Sequence, residues 1–169
     1  KMKDCLGREW QMGTVQVDFQ LPLRFNLSYI DSNGDKKTPI LIHRALFGSF
    51  ERFIGIITEH FAGAFPVWLA PVQVKVLPIS DSQKEYARKI AEELGNKGFR
   101  VEVDDRQEKI GYKIREAQLQ KIPYMLAIGD KEIAENAVSV RSRKDGEMGK
   151  MSVEEFAKKV QEEMDTFAR

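Results

Sequence analysis

The residues best suited to chemistry lie in the stretch IHRALFGSFERFIGI, residues 42–56. His43 ends one apolar run, Gly48 and Ser49 allow a sharp turn, and Arg52 lies in the first turns of the run that follows. Backbone N–H groups at the start of a helix, with an arginine beside them, favour phosphate and other anions. The spacing therefore indicates an anion site, and the alternative is an ordinary surface turn with solvated charges.

The elements that must position these residues follow an antiparallel pattern up to about residue 70. The segments VQVDFQL at 15–21 and RFNLSYI at 24–30 alternate apolar and polar residues, which predicts two half-buried strands. Asn33-Gly34 predicts a tight hairpin turn, and TPILIHRA at 38–45 is the returning strand of a meander. A helix that ends before Gly63 and Pro66 is then predicted by apolar residues at helical spacing: Phe50, Phe53, Ile54 and Ile57.

Strands and helices alternate after residue 70. Four apolar runs predict strands: QVKVLPI, FRVEV, YMLAIG and AVSVR. The run YMLAIG is continuous and is therefore expected at the centre of the sheet. A hairpin rich in glycine follows, and the last helix begins at Ser152, which has the spacing of a capping box with Glu155. This alternation predicts a mostly parallel or mixed sheet between helices.

The segment FPVWLAPVQ at 65–73 separates the two patterns. We therefore predict one domain over residues 1–70 and a second over residues 71–169. A length of 169 residues is long for one small α/β domain and short for two average ones, so a domain plus a piece of another is expected. The predicted fold class is α/β, or α+β when the whole chain is considered.

Composition limits the function classes. Apolar residues make up 42% and charged residues 31%, as in ordinary globular proteins, and the formal net charge of +1 argues against a strongly basic nucleic-acid binder. No apolar run approaches the roughly 20 residues that cross a bilayer. The single cysteine, Cys5, excludes an intramolecular disulfide and fits a reducing compartment. We expect a cytoplasmic protein without a membrane partner.

The motif HRALFGSFERF resembles the third signature motif of class II aminoacyl-tRNA synthetases, and its histidine and arginine point to the threonyl-tRNA synthetase family. Four further segments resemble the same family in the same order: GREWQMGTVQVDFQLPLRFNLSY, FPVWLAPVQV, DDRQEKIGYKIREAQLQKIPYMLAIGDKE and VSVRSR. The resemblance implies that residues 1–70 end the catalytic domain, as a partial antiparallel sheet, and that residues 71–169 form an anticodon-binding domain with a mixed sheet.

The activity that this resemblance implies is ATP-dependent conversion of threonine to threonyl-adenylate, followed by transfer to tRNA(Thr). Mg²⁺ would accompany the ATP, and the complete enzyme would be a homodimer. The family's first two motifs precede the segments matched here, so this portion alone is expected to be inactive.

Several residues match family positions with roles in the reaction. Arg52 matches an arginine that packs on the adenine and reaches the phosphates of ATP, where a planar cation suits both tasks. His43 matches one of three protein ligands of a zinc ion, Zn²⁺, that grips the amino and hydroxyl groups of threonine. The other two ligands precede this segment in the family, so the zinc site is expected to be incomplete here. Positions that contact ATP, threonine or the tRNA end are matched by Gln11, Thr14, Gln16 and Ser49, and Gln16 is a candidate catalytic residue together with Arg52.

In the second domain the family pattern implies contacts to the anticodon. Glu132 and the residue at 107 would contact the middle base, and Arg141 would contact the third base. The family usually has asparagine at position 107, whereas Gln107 keeps the amide and adds a methylene. Lys109 and Lys113 are four residues apart and could act together at the phosphate backbone, and a solvated helix face is the alternative.

Two other function classes are open. A non-catalytic tRNA-binding or accessory module derived from a class II synthetase would have the second domain, but it would not need His43, Ser49 and Arg52. Retention of these three residues favours the synthetase. The other class is a flavodoxin-like binder of small molecules. Such a protein would be expected to have a glycine-rich phosphate loop after the first strand of the second domain, and this sequence has none there.

Overall fold

The computed structural model describes residues 1–168. It contains two compact units, Lys1–Phe61 and a larger unit that begins at Ala62. The division between units falls at Phe61, and the domain boundary near residue 70 stays a prediction from the sequence. Each unit has its own strand pairings and its own buried residues.

The first unit consists of short paired strands and two helices. Strands β1 and β2 pair, β3 pairs with β6, and β4 pairs with β5, all antiparallel. The elements in chain order are β1 Met2–Lys3, β2 Glu9–Trp10, β3 Thr14–Asp18, α1 Gln20–Arg24, β4 Tyr29–Ile30, β5 Lys36–Lys37, β6 Leu41–Ala45 and α2 Phe50–His60.

The predicted turn at Asn33-Gly34 is confirmed, because β4 and β5 pair on either side of it, but the predicted meander is wrong. A helix, α1, lies where the strand predicted at 15–21 should end and the strand predicted at 24–30 should begin, and β6 pairs directly with β3. The cause is local: the Oδ1 atom of Asp18 accepts hydrogen bonds from the backbone N–H groups of Gln20 and Leu21, at 2.8 and 3.1 Å, and so turns the chain out of the extended conformation. The expectation of half-buried strands is also wrong for β3, because Val15 is 65% exposed.

The predicted helix with Phe50 and Ile57 is confirmed as α2. Ser49 is its N-cap residue, because the side chain accepts a hydrogen bond from the backbone N–H of Arg52 at 3.3 Å. The sequence therefore starts this helix at the Gly-Ser turn, and Arg52 lies in its first turn.

The second unit contains one five-stranded mixed sheet in the order β11-β10-β9-β7-β8. Strands β8, β7 and β9 are parallel, while β10 and β11 are antiparallel to their neighbours. The predictions of a mixed sheet and of a central YMLAIG strand are confirmed. The elements are β7 Val74–Pro78, α3 Lys84–Asn96, β8 Val101–Val103, α4 Ile110–Leu119, β9 Tyr124–Ile128, α5 Asp130–Ala134, β10 Val138–Ser142, β11 Gly146–Met151 and α6 Val153–Asp165.

Helices pack on both faces of this sheet. Apolar residues of α3 and α6, such as Leu94 and Phe156, share one buried cluster with Val76 of β7. Ala117 of α4 packs with Leu77 and other residues that point to the opposite face. The capping box of Ser152 and Glu155 at the start of α6 is confirmed. The helices therefore cover the faces and leave the loops at the carboxyl ends of the parallel strands accessible.

The short helix α5 was not predicted, because five residues carry no helical period. The longest helices, α3 and α6, have 13 residues each. Within residues 1–168, no helix is both long enough and apolar enough to cross a membrane.

Candidate functional sites

The ribbon of β3 and β6 brings two of the candidate residues together. Gln16 and His43 are directly paired across the two strands, and Thr14 pairs with Ala45. Because residues two apart on a strand share a face, Thr14, Gln16 and Asp18 lie on one face, and His43 lies opposite Gln16 on that face. An open depression is lined by Gln16, Asp18 and His43 among others.

Asp18 is a partner of His43 that sequence reasoning missed. The Nε2 atom of His43 lies 3.0 Å from Oδ2 of Asp18. The hydrogen bond from the backbone N–H of Leu21, followed by the contact with His43, lowers the pKa of the Asp18 carboxyl. The signal was present in the sequence, because Asp18 follows Gln16 by two residues on the same strand.

The residues described here do not complete the expected zinc site. Catalytic zinc usually has three protein ligands, and this face supplies one imidazole with one carboxylate beside it. No group of three histidine, cysteine, aspartate or glutamate side chains within residues 1–168 is placed to hold a metal ion.

A second set of candidate residues surrounds the start of α2. Gly48 has a φ of +69°, and a Cβ atom there would lie 3.6 Å from the carbonyl oxygen of Gln11, so the loop of Gln11 lies against the Gly-Ser turn. The guanidinium carbon of Arg52 lies 5.7 Å from the centre of the Trp10 ring, which is a cation–π distance. Gln11, Ser49 and Arg52 are thus close together and exposed. This arrangement can bind an anion next to a planar group.

Trp10, which sequence reasoning did not single out, contacts Arg52 through its ring and Asp4 through its indole N–H. Its indole N–H donates to Oδ2 of Asp4 at 2.8 Å, and Nε of Arg8 donates to the same oxygen at 2.6 Å. The hydrogen bond from Trp10 is the main reason that the pKa of the Asp4 carboxyl falls to about 2, against the effect of burial and with help from Arg8. The ionised Asp4 therefore fixes the ring that faces Arg52.

In the second unit, two candidate anticodon contacts lie at the carboxyl edge of the sheet. Gln107 follows β8 and Glu132 follows β9, and the loop after β7 lies between them because β7 separates those strands. The Oε2 atom of Glu132 accepts from the backbone N–H of Gly129, and Oε1 accepts from the hydroxyl of Ser139, both at 2.9 Å. Burial would raise the pKa of Glu132, but these hydrogen bonds outweigh it and lower the pKa.

Lys109 and Lys113 do not share an exposed helix face, so that prediction is wrong. Lys113 is 2% exposed, and its Nζ donates to the carbonyl oxygens of Pro78 at 2.9 Å and Asp104 at 3.0 Å. Lys109 is exposed at the start of α4. The Lys113 ammonium points inward because it donates to the buried carbonyl groups at the two strand ends. Only Lys109 of this pair therefore lies on the surface.

Arg141 lies on a strand rather than at the carboxyl edge. It pairs with Met125 of β9, whereas Ser139 pairs with Ala127, so Arg141 lies two residues farther from the edge but on the same face as Ser139. Its Nη1 donates to Glu147 at 3.0 Å, and its Nε is buried without a hydrogen-bond partner among residues 1–168. Arg141 therefore lies on the same strand face as Ser139, whose hydroxyl donates to Glu132.

Comparisons with known proteins agree with this division of the chain. Residues 73–163 match the family model of the anticodon binding domain, and residues 1–61 match that of the tRNA synthetase class II core domain (G, H, P, S and T). The family-model matches thus cover most of both units.

Threonine–tRNA ligases are among the similar proteins. The threonine–tRNA ligase of Clostridium tetani is 63% identical over 164 residues, which are 97% of this chain and 26% of that protein. The threonine–tRNA ligase of Caldanaerobacter subterraneus subsp. tengcongensis is 62% identical over 167 residues, 99% of this chain and 26% of that protein. The chain thus spans about a quarter of the length of the curated relatives it matches.

A solved structure is also similar. The crystal structure of the RNA binding domain of threonyl-tRNA synthetase from Cryptosporidium parvum Iowa II has a TM-score of 0.78 and 41% identity, and the match covers 95% of this chain and 41% of that one. The chain therefore belongs to the anticodon-binding domain family, and it is homologous to threonyl-tRNA synthetases along nearly its whole length.

Proposed function

We propose that this chain is part of a threonine–tRNA ligase, in which the second unit binds the anticodon of tRNA(Thr) and the first unit contributes to the site for ATP and threonine. The observation that carries the proposal is the identity of 60–63% to threonine–tRNA ligases over 96–99% of the chain. The ligase reaction, Mg²⁺ bound with ATP, a homodimer and a cytoplasmic location are proposed for the complete enzyme.

The chemistry proposed for the first unit is the handling of charge. Arg52 would stabilise the phosphates of ATP with an exposed planar cation that Trp10 already supports. Gln16 is uncharged and lies opposite His43, so it can position threonine without adding charge to the site. The role of His43 as one ligand of zinc stays a prediction that depends on ligands outside the described residues.

The chemistry proposed for the second unit is base reading. Threonine codons begin with A and C, so the middle and third bases of the matching anticodon are G and U. The Watson–Crick edge of guanine presents two donor groups, and a carboxylate has about four lone-pair sites. In Glu132, which is 8% exposed, Gly129 and Ser139 use two of these sites and the Lys150 ammonium lies 3.5 Å from Oε1, so the carboxylate can still accept from the base. Arg141 has only donors, which suits the two carbonyl oxygens of uracil. Single-stranded bases of this kind are the usual targets of sequence-specific RNA binding.

Binding of an anticodon stem-loop by the 169-residue chain tests this proposal. We expect Arg141→Ala to weaken binding of a loop with a threonine anticodon by about 1–3 kcal/mol, on the scale known for specific base contacts. A loop with a different third base should lose much less. Lys158→Ala, which removes an exposed positive charge from α6, is the matched control and should affect both loops equally. Salt must be constant, since phosphate contacts depend on it. Equal losses for both loops with Arg141→Ala would exclude base reading by this residue.

The part of the proposal that concerns the first unit is tested in the complete enzyme. Arg52→Ala should reduce threonine-dependent pyrophosphate exchange by orders of magnitude, because electrostatic stabilisers of this kind are typically worth several kcal/mol. Binding of the anticodon loop should stay near normal. Exchange at the wild-type rate would remove Arg52 from the site.

A further inference from the structure

One hydrogen bond joins the two loops at the carboxyl ends of β7 and β8. The amide nitrogen Nε2 of Gln107, in the loop after β8, donates to Oδ2 of Asp81, in the loop after β7, at 3.2 Å. Both side chains line the same open depression at the edge of the sheet. None of the roles proposed for the second unit involves Asp81.

The two loops have a rigid base. Lys113 links the end of β7 to the end of β8 through its two carbonyl acceptors. Arg106, next to Gln107, donates to both carboxylate oxygens of Asp104, with Nε at 2.8 Å from Oδ1 and Nη2 at 2.6 Å from Oδ2. A bidentate charged pair fixes orientation as well as distance. Gln107 therefore directly follows a residue that is fixed by a bidentate pair, in a loop whose start is tied to β7 by Lys113.

The chemical groups of this hydrogen bond decide its direction. The hydrogen bond from Lys84 is the largest cause that lowers the pKa of Asp81, and the Nζ of Lys84 lies 2.7 Å from Oδ1. An ionised carboxylate accepts hydrogen bonds and cannot donate them, so the amide must direct its NH₂ group to Asp81. The side-chain carbonyl oxygen of Gln107, Oε1, makes no hydrogen bond within residues 1–168. Rotation of the amide by 180° would place that oxygen against a carboxylate.

We propose that Asp81 is a positioning residue for anticodon reading, because it accepts the hydrogen bond of Gln107 and thereby fixes which edge of that amide faces the RNA. The inference rests on the proposed function. An amide that can rotate presents a donor or an acceptor with similar ease and therefore discriminates weakly between bases. With the amide fixed, the bound RNA must supply one particular pattern of donors and acceptors at the middle base.

The test compares two stem-loops that differ only in the middle anticodon base, guanine or adenine, and measures the ratio of their dissociation constants for the 169-residue chain. Asp81→Asn keeps the size of the side chain and its ability to hydrogen bond, but asparagine can either accept from or donate to Gln107. We expect the ratio to fall roughly fivefold to tenfold, the worth of one hydrogen bond. Because the variant also removes a negative charge, affinity for both RNAs should rise together, and only the ratio reports on orientation.

Two further variants separate positioning from other effects. Glu108→Gln removes a neighbouring exposed charge that lines the same depression, and it should change both affinities without changing the ratio. In a Gln107→Ala background, Asp81→Asn should no longer change the ratio, because the two residues act through one hydrogen bond.

The failures are distinguishable. If the unaltered chain showed no preference for guanine over adenine at the middle base, the proposed function and this inference would both be rejected. A normal preference that Asp81→Asn leaves intact would reject the inference alone. An equal effect of Asp81→Asn with and without Gln107 would mean that Asp81 contacts RNA directly, which also overturns the positioning role.

Discussion

The ammonium group of Lys113 lies 2.9 Å from the carbonyl oxygen of Pro78, the last residue of β7. The same group lies 3.0 Å from the carbonyl oxygen of Asp104, directly after β8. A buried cation thus joins two parallel strands at the edge where their loops carry the candidate RNA contacts. Burial of a charge is costly unless it is compensated, and here two carbonyl groups compensate it.

Replacement of Lys113 by methionine keeps the volume and removes both hydrogen bonds. Two buried carbonyl groups then lack their donor, so we expect a loss of about 1–3 kcal/mol in the local free energy of opening. Hydrogen exchange of the β7 and β8 amides measures it in the full chain. Lys109→Met is the matched control on the exposed side and should stay within about 0.5 kcal/mol. Similar effects of the two variants would contradict the structural role of Lys113.

The side chains around Gly129 restrict this position, whereas its extended backbone angles are ones that any residue can adopt. A Cβ atom there would lie 2.9 Å from Cδ1 of Ile79 and 3.0 Å from Oε2 of Glu132. Ile79 is exposed and its Cδ1 atom can move aside, so we expect Gly129→Ala to destabilise the second unit by only about 1 kcal/mol, the low end for added volume. Binding of the threonine anticodon loop should weaken, because the Glu132 carboxylate must move. Gly111→Ala, with no heavy atom within 4 Å of the new Cβ, is the control for binding. Unchanged RNA affinity in Gly129→Ala would argue against a contact by Glu132.

Asp4 should make the first unit sensitive to acid. Its pKa in the folded chain is about 2, below the ordinary value of 3.8, so its stabilising effect is complete above about pH 4 and disappears as the pH falls towards 2. The indole N–H of Trp10, followed by NMR, should lose protection from exchange in that range. Asp4→Asn should lack this transition. A midpoint at the ordinary value would show that Trp10 and Arg8 do not hold the carboxylate.

Two glycines near the end of α3 should respond in opposite ways to alanine. Gly95 lies within the helix with open space around it, so Gly95→Ala should stabilise the chain by about 0.5–1 kcal/mol. Gly98 follows the helix with a φ of +91°, which is unfavourable for a residue with a Cβ atom. Gly98→Ala should therefore destabilise the chain by about 1–2 kcal/mol. Chemical denaturation of both variants measures the difference. The same sign for both would contradict the described end of α3.

The sequence by itself determined most of the second unit. The continuous apolar run at Tyr124–Ile128 predicted a central strand, and Ser152 with Glu155 predicted the start of the last helix. These signals are local, because side-chain period and capping depend on residues that are near in sequence. The motif of residues 42–56 similarly predicted a helix that begins after the Gly-Ser turn, with Arg52 in its first turns.

Only the tertiary structure decided which charged side chains are available. Lys113 lies one helical turn from Lys109, and spacing gives them one face, yet the acceptors of Lys113 come from residues 78 and 104. The pairing of β3 with β6 and the contact of Asp18 with His43 likewise join residues more than 20 positions apart. Burial and partners of this kind depend on where the chain returns, and a local pattern of residue types contains no information about that.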